Sequence, residues 1–180
     1  MQPRLAPLEP PYPAEVAETL KAMMPPGVPP IALFRVLAHN PRVLSRIWGG
    51  NLLDRGSISL REREIVILRT TARLGSDYEW GVHIQFFAAK AGFTPAQIAA
   101  TAGSEPGAWP APEQLLLELV DALVDHAAID DALWQRASAQ WTPQQLLEIV
   151  VLTGAYHTIS FLTAAFRVPL EPGAPRLPQA

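Results

Sequence analysis

Three times along this chain a hydroxyl residue is followed, three positions later, by a side chain able to return its hydrogen bond. The segments are Ser59-Leu60-Arg61-Glu62, Thr94-Pro95-Ala96-Gln97 and Thr142-Pro143-Gln144-Gln145. Each is a capping box: the Ser or Thr oxygen accepts from the third amide of a helix, and the Glu or Gln reaches back to the capping amide. Proline at the first helical position, present in two of them, gives up an amide that has no helical partner anyway. Gly75 and Gly92 stand where helices should stop, because glycine enters the left-handed region without steric cost. No stretch alternates apolar and polar residues over a useful length; only 65–68 admits a strand reading, and the capping box before it favours helix. The expectation is an all-α fold with helices over 14–23, 31–39, 42–53, 60–74, 77–91, 95–101, 113–126, 130–139 and 143–166.

Most of the 19 prolines cluster towards the two ends of the sequence, at 3–13, 25–30 and 169–178. Proline in a helix interior loses a donor and clashes with the preceding turn, so these segments read as arms lying over a helical body. A length of 180 residues fits one domain over 1–180, with a core at 31–168 and arms at 1–30 and 169–180. Charged residues are 17% of the chain, below the roughly 25% of ordinary globular domains. A surface so short of charge points to cover by another chain. The net charge of −3 and the scattered basic residues leave no stripe for a phosphate backbone, so no nucleic-acid partner is expected. The absence of cysteine excludes disulfides, thiolate nucleophiles and Cys-bound zinc in this chain. The first residues carry no apolar signal-peptide core. Residues 149–166 hold no acid, Lys or Arg but include Thr153, His157, Thr158, Ser160 and Thr163, and read as a buried helix, not a membrane span. The expectation is a soluble, cytoplasmic protein without a membrane partner.

The chemistry-bearing stretch runs from Arg61 to Gly92. Ser76, Glu79 and His83 are spaced by three and four, so they share one helix face. That helix is otherwise apolar (Trp80, Val82, Ile84, Phe86, Phe87), as a buried helix is. Glu64 lies at the inward margin of the preceding helix, and a tight turn at Gly75-Ser76 would fold the two into an antiparallel hairpin. Burial and a neighbouring acid raise a carboxyl pKa, and a nearby imidazolium lowers it. Such opposed pulls can hold a proton near neutrality, where imidazole moves protons best. Glu64, Glu79 and His83 are therefore candidate general acid/base residues. A buried Glu–His hydrogen bond that only pins two helices is the competing reading.

The segments Arg61-Glu62-Arg63-Glu64-Ile65-Val66-Ile67-Leu68-Arg69, Asp77-Tyr78-Glu79-Trp80-Gly81-Val82-His83 and Ala91-Gly92-Phe93-Thr94 resemble the core motif of carboxymuconolactone decarboxylase-like proteins, within the alkylhydroperoxidase D-like superfamily. His39-Asn40-Pro41, Ile129 to Trp134 and Gly154-Ala155-Tyr156 extend the resemblance over most of 31–168. It implies an all-α fold around a central antiparallel helix pair, and homo-oligomers, often trimers or hexamers. In the peroxidase branch a Glu precedes Cys-x-x-Cys-x-x-x-His; Glu64 and His83 match the Glu and His, while Ser76 and Glu79 stand at the cysteine positions. A thiol peroxidase cycle is thereby excluded. The decarboxylase branch implies loss of CO₂ from a small anionic lactone, with reprotonation of an enolate that needs no cofactor. His83 would donate the proton, and Glu79 and Glu64 would orient it or exchange the proton.

Ser76, Tyr78, Trp80 and His157 are the expected substrate-binding residues. Tyr78 and Trp80 also read as core, and His157 as a core histidine with one hydrogen bond. Arg69 and Arg73 lie near enough in sequence to meet an anionic substrate, with solvent exposure the preferred reading. No metal is expected: Glu79 and His83 are spaced by four, whereas the helical di-iron motif is Glu-x-x-His. The competing functional class is a non-catalytic oligomeric protein that binds a small molecule.

Overall fold

The computed structural model describes residues 2–50, 52–103 and 109–178. Its elements are α1 (Ala14–Ala22), α2 (Ala32–Leu37), α3 (Pro41–Gly49), α4 (Leu60–Arg73), α5 (Asp77–His83), a π-helical turn (Ile84–Ala88), α6 (Pro95–Ala102), α7 (Ala111–His126), α8 (Asp131–Gln140) and α9 (Pro143–Phe166). Among the described residues there is no strand. The three capping boxes open α4, α6 and α9.

Helix α4 is the axis of the fold. Every residue from Arg63 to Thr71 is buried, and α5, α6, α7 and α9 pack around it. One apolar cluster joins Ile65, Val66 and Ile67 to Leu116, Leu119 and Val120 of α7 and to Ile149 and Leu152 of α9. A second holds α1 and α2 against Tyr78 and Val82 of α5. Three arginines on α4 tie it to α7 with one constant offset of 52 residues: Arg61 to Glu113, Arg69 to Asp121 and Arg73 to Asp125. A constant offset with both numbers rising means that the two helices run parallel.

The α4–α5 turn is a Schellman motif. Gly75 has φ +65°, its amide donates to the Ala72 carbonyl, and the Ser76 amide donates to the Thr71 carbonyl at 2.8 Å. Gly92, at φ +70°, closes the next helical run in the same way, with Phe93 N–H on the Ala88 carbonyl.

Two expected helices end differently. The helix expected over 42–53 runs from Pro41 to Gly49: Asn40 caps it by accepting from the Val43 amide, and the Gly49-Gly50 pair stops it. The helix expected over 77–91 changes to π geometry at Ile84, for which the sequence carries no signal.

The arms lie on the body. Arg4 N–H bonds to the Phe166 carbonyl and Leu8 N–H to the Arg35 carbonyl. Glu171 accepts from the Ala32 amide, and Leu177 N–H bonds to Asp77 Oδ1 at 2.8 Å. Gly81 is where the C-terminal arm presses closest: a Cβ there would lie 2.2 Å from the Pro175 carbonyl oxygen.

Candidate active site

The α4–α5 hairpin brings Glu64 and His83 into direct contact. Glu64 Oε2 lies 2.7 Å from His83 Nδ1. Its other oxygen accepts from Arg63 Nε at 3.0 Å and Nη2 at 2.9 Å. Arg63 is held in turn by the Leu53 carbonyl. A carboxylate so engaged is acceptor-only, so it fixes the imidazole proton on Nδ1. On the other side of the ring, the Tyr156 hydroxyl, from α9, lies 2.8 Å from Nε2. With Nδ1 protonated, Nε2 of the neutral ring accepts and Tyr156 donates. The hydrogen bonds thus form one line: Leu53 carbonyl, Arg63, Glu64, His83, Tyr156.

Glu79, one helical turn before His83, sits beside this line. Its Oε2 is 3.8 Å from His83 Nε2, and its Oε1 is buried with no hydrogen-bond partner. Burial pushes the Glu79 carboxyl up to about 7, and the neighbouring His83 pulls it back only in part. Burial also raises the Tyr156 phenol well above its ordinary value, and the carboxylates of Glu79 and Glu64 raise it further. Relative exposures are 0% for Glu64, 3% for His83, and 4% each for Glu79 and Tyr156. Over the imidazole lies the half-buried Phe87, ring on ring at 5.2 Å and 29°. Phe87 belongs to the π-helical turn, a feature often found at functional sites. Arg63 and Lys90 lie on the same ring at 5.2 and 5.4 Å.

The other residues singled out in sequence have different partners. Ser76 caps α5, and its hydroxyl meets Thr163 Oγ1 at 3.1 Å. Tyr78 donates to Glu171 at 2.6 Å and accepts from the Leu33 amide, holding α2 and the C-terminal arm to α5. Trp80 donates its indole N–H to Thr101 Oγ1 at 2.8 Å. His157, the residue after Tyr156, is half-buried and meets the edge of Phe161. Arg69 is not solvent-exposed as preferred from sequence but 7% exposed. It is bidentate to Asp121 and bonded to the Thr101 and Gly103 carbonyls, so its donors are spent inside the fold. Arg73 pairs with Asp125 at the surface. Among the described residues no three His, Asp or Glu side chains are gathered to hold a metal ion.

Sequence reasoning passed over Tyr156 and Arg63. Arg63 directly precedes Glu64, but neighbours in a helix point about 100° apart, and only a long side chain bending back makes the pair. For Tyr156 a signal existed: it lies in Gly154-Ala155-Tyr156, a segment of the family resemblance, and a lone phenol on an uncharged buried helix needs a partner.

The architecture is that of the alkylhydroperoxidase D-like proteins. The chain overlays an uncharacterized peroxidase-related protein from Silicibacter sp. TM1040 with a TM-score of 0.79 and 14% identity, covering 97% of this chain and 96% of that one. A similar protein from Ralstonia eutropha JMP134, described as an alkylhydroperoxidase AhpD core, gives 0.77 at 14% identity, covering 96% and 95%. A variant of the debrominase Bmp8, solved in complex with 2,3,4-tribromopyrrole, gives 0.71 at 13% identity, covering 96% and 94%. Residues 40–121 match the Carboxymuconolactone decarboxylase family. The matched stretch contains Glu64, Glu79 and His83 and ends before Tyr156. No curated protein matches the chain in sequence.

Proposed function

We propose that this chain is a general acid/base enzyme that protonates carbon on a small anionic lactone or enol, as a lyase releasing CO₂ or as an isomerase. The observation that carries the reading is the unpartnered Glu79 oxygen beside an imidazole held at both ring nitrogens. With Nδ1–H given to Glu64 and Nε2 accepting from Tyr156, neutral His83 has no free proton to donate. At neutral pH the available acid is the Glu79 carboxyl, whose raised pKa keeps much of it protonated.

In a decarboxylation, the bond between the substrate carbon and its carboxylate breaks, CO₂ leaves, and the electron pair spreads into an enolate. Glu79 gives its proton to that carbon and becomes a carboxylate. A proton from solvent then restores the Glu79 carboxyl, while His83, 3.8 Å away, keeps its own proton. Its Nδ1–H remains on Glu64, and Arg63 balances the Glu64 charge. Tyr156 holds the ring in place by donating to Nε2. Phe87 covers the ring, stacked on it at 5.2 Å, and must move aside for a substrate to enter from that side. A thiol-based peroxide cycle has no group to run on in this chain.

The test is a panel of small enolisable carboxylates and carboxylated lactones, followed by CO₂ release and, in D₂O, by deuterium incorporation at carbon. The wild-type chain should catalyse one or the other, and Glu79→Gln should abolish it. Absence of turnover and exchange throughout the panel, or activity indifferent to Glu79→Gln, would refute the assignment. The near-complete burial of the four groups favours one second reading, a non-catalytic oligomeric protein that binds a small molecule. Under it, a ligand from the same panel would bind with no turnover.

A further inference from the structure

The segment from Ser76 to His83 meets α9 at two rungs. At one end the Ser76 hydroxyl lies 3.1 Å from Thr163 Oγ1; at the other the Tyr156 hydroxyl lies 2.8 Å from His83 Nε2. Seven residues separate the rungs on either side, rising from Ser76 to His83 and falling from Thr163 to Tyr156. The two segments therefore run antiparallel. With about 1.5 Å of rise per residue on both, the positions between the rungs pair in step. Three residues in from Ser76 is Glu79, and three in from Thr163 is Ser160. Steps of three and four hold side chains on one helix face, and all six of these residues are buried. Ser160, 3% exposed, is thus the residue of α9 set opposite Glu79.

Both members of this middle rung hold an unpartnered oxygen. Ser160 Oγ, like Glu79 Oε1, is buried without a hydrogen bond. A serine or threonine inside a helix can return its hydroxyl to a carbonyl three or four residues back. Thr153, Thr158 and Thr163 of α9 do so, to the carbonyls of Ile149, Gly154 and Ser160. Ser160 does not. A buried hydroxyl left without a partner is destabilising, so the departure calls for a reason.

Proton transfer supplies one. A protonated Glu79 carries its own hydrogen, but once that hydrogen has gone to substrate the side chain is a buried carboxylate, able only to accept. The ionisable groups gathered at this seam are Glu64 and Arg63 of α4, His83 of α5 and Tyr156 of α9. Arg63 is bonded to Glu64 and the Leu53 carbonyl, His83 Nδ1 to Glu64, and the Tyr156 hydroxyl to Nε2. The Ser160 hydrogen has no such claim on it, and a turn about χ1 from one staggered position to the next re-aims Oγ. We propose that Ser160 is a positioning residue for Glu79: its hydroxyl turns to Oε1 and donates to the carboxylate that proton transfer leaves behind. Ser160 keeps its own proton throughout. The catalytic meaning of the pair rests on the proposed function; the pair itself requires no turnover.

Carbon-13 NMR of the glutamate side chains provides the test. In protein labelled at the Glu carboxyl carbons, the resonance missing from Glu79→Gln identifies Glu79, and its shift is followed with pH. Loss of a donor to the charged form raises a carboxyl pKa. In Ser160→Ala the Glu79 midpoint should therefore rise from about 7 by about one pH unit or more, the worth of a hydrogen bond to a charged group. Thr153→Ala removes another buried hydroxyl of α9, one that bonds to its own helix, and should leave the midpoint in place. At pH 4.5, where Glu79 is protonated, Ser160→Ala should melt no lower than wild type; a hydroxyl with a purely structural bond would show its loss there. Should the alanine variant misfold, Ser160→Cys repeats the measurement with a weak donor and should raise the midpoint in the same direction. An unmoved midpoint overturns the pair, and so does an equal rise in Thr153→Ala. A raised midpoint in a chain without turnover refutes the proposed function and leaves the pair standing. With a turned-over substrate, Ser160→Ala should lower kcat about threefold or more at little-changed KM, and an unchanged kcat overturns the positioning role.

Discussion

Replacing Glu79 with glutamine probes the candidate site without knowledge of any substrate. In the folded chain the Glu79 carboxyl has its pKa raised from 4.5 to about 7, burial being the main cause. The native state therefore keeps this proton to a higher pH than the unfolded chain does. Stability falls with pH wherever the native state binds more protons than the unfolded one. The contribution of this group is thus whole below about pH 4.5 and drains away as the pH climbs to about 7. At roughly 1.4 kcal/mol per pH unit, the loss comes to about 3 kcal/mol, the work of burying a carboxylate beside a partner 3.8 Å distant. Glutamine mimics the protonated acid at every pH. Urea denaturation of wild type and Glu79→Gln at one protein concentration should therefore give similar stabilities at pH 4.5. At pH 8.5 the variant should be ahead by about 3 kcal/mol, which in a chain of this size is about 6–12 °C in melting temperature. Taking the difference between the two chains cancels every other titrating group. A difference that stays flat from pH 4.5 to 8.5 would mean that Glu79 ionises as freely as in water. The proton donor of the proposed reaction would be lost with it.

Glu64→Ala strips the buried Arg63 guanidinium and the His83 Nδ1–H of their shared acceptor, so it should cost about 3–5 kcal/mol by chemical denaturation. Tyr156→Phe keeps the ring packing at 5.0 Å from His83 but removes the hydroxyl from Nε2; the expected loss is about 1–2 kcal/mol by chemical denaturation. Gly81→Ala places a methyl where the Pro175 carbonyl sits. It should displace the C-terminal arm and speed proteolytic cleavage after Arg176, with a stability loss of about 1–3 kcal/mol.

The fold was legible where local chemistry is self-sufficient. Ser59, Thr94 and Thr142 each state a helix start within four residues, and Gly75 and Gly92 state the stops, so α4 and α9 could be bounded to within a residue. The hairpin that joins Glu64 to His83 followed from the same signals, since a Schellman turn between two helices leaves little choice of direction. What stayed hidden depends on contacts between segments far apart. Tyr156 meets His83 across 73 residues, and Tyr78 meets Glu171 across 93. Arg69 could not be seen as buried because its acceptors, Asp121 of α7 and the Thr101 and Gly103 carbonyls at the end of α6, lie far along the chain. Spacing along one helix reports a shared face, not which neighbour that face meets. Ser76, Glu79 and His83 do share a stripe, yet Ser76 turns to Thr163 of α9 while Glu79 keeps to the imidazole.

That division bears on what the site can do. Buried polar groups are almost always paired, and an exception calls for a functional reason or an unseen partner. On α4 and α5, among the described residues, the threonine hydroxyls bond back to their own helix. Ser76, Tyr78 and Trp80 each hold another element in place, and Arg63 and Arg69 are saturated. Glu79 Oε1 is the exception. A carboxyl kept partly protonated near pH 7 by its own burial can offer a proton but cannot cycle electrons. Under the proposed function, this unpartnered acid beside the Glu64–His83 pair is the group that transfers the proton.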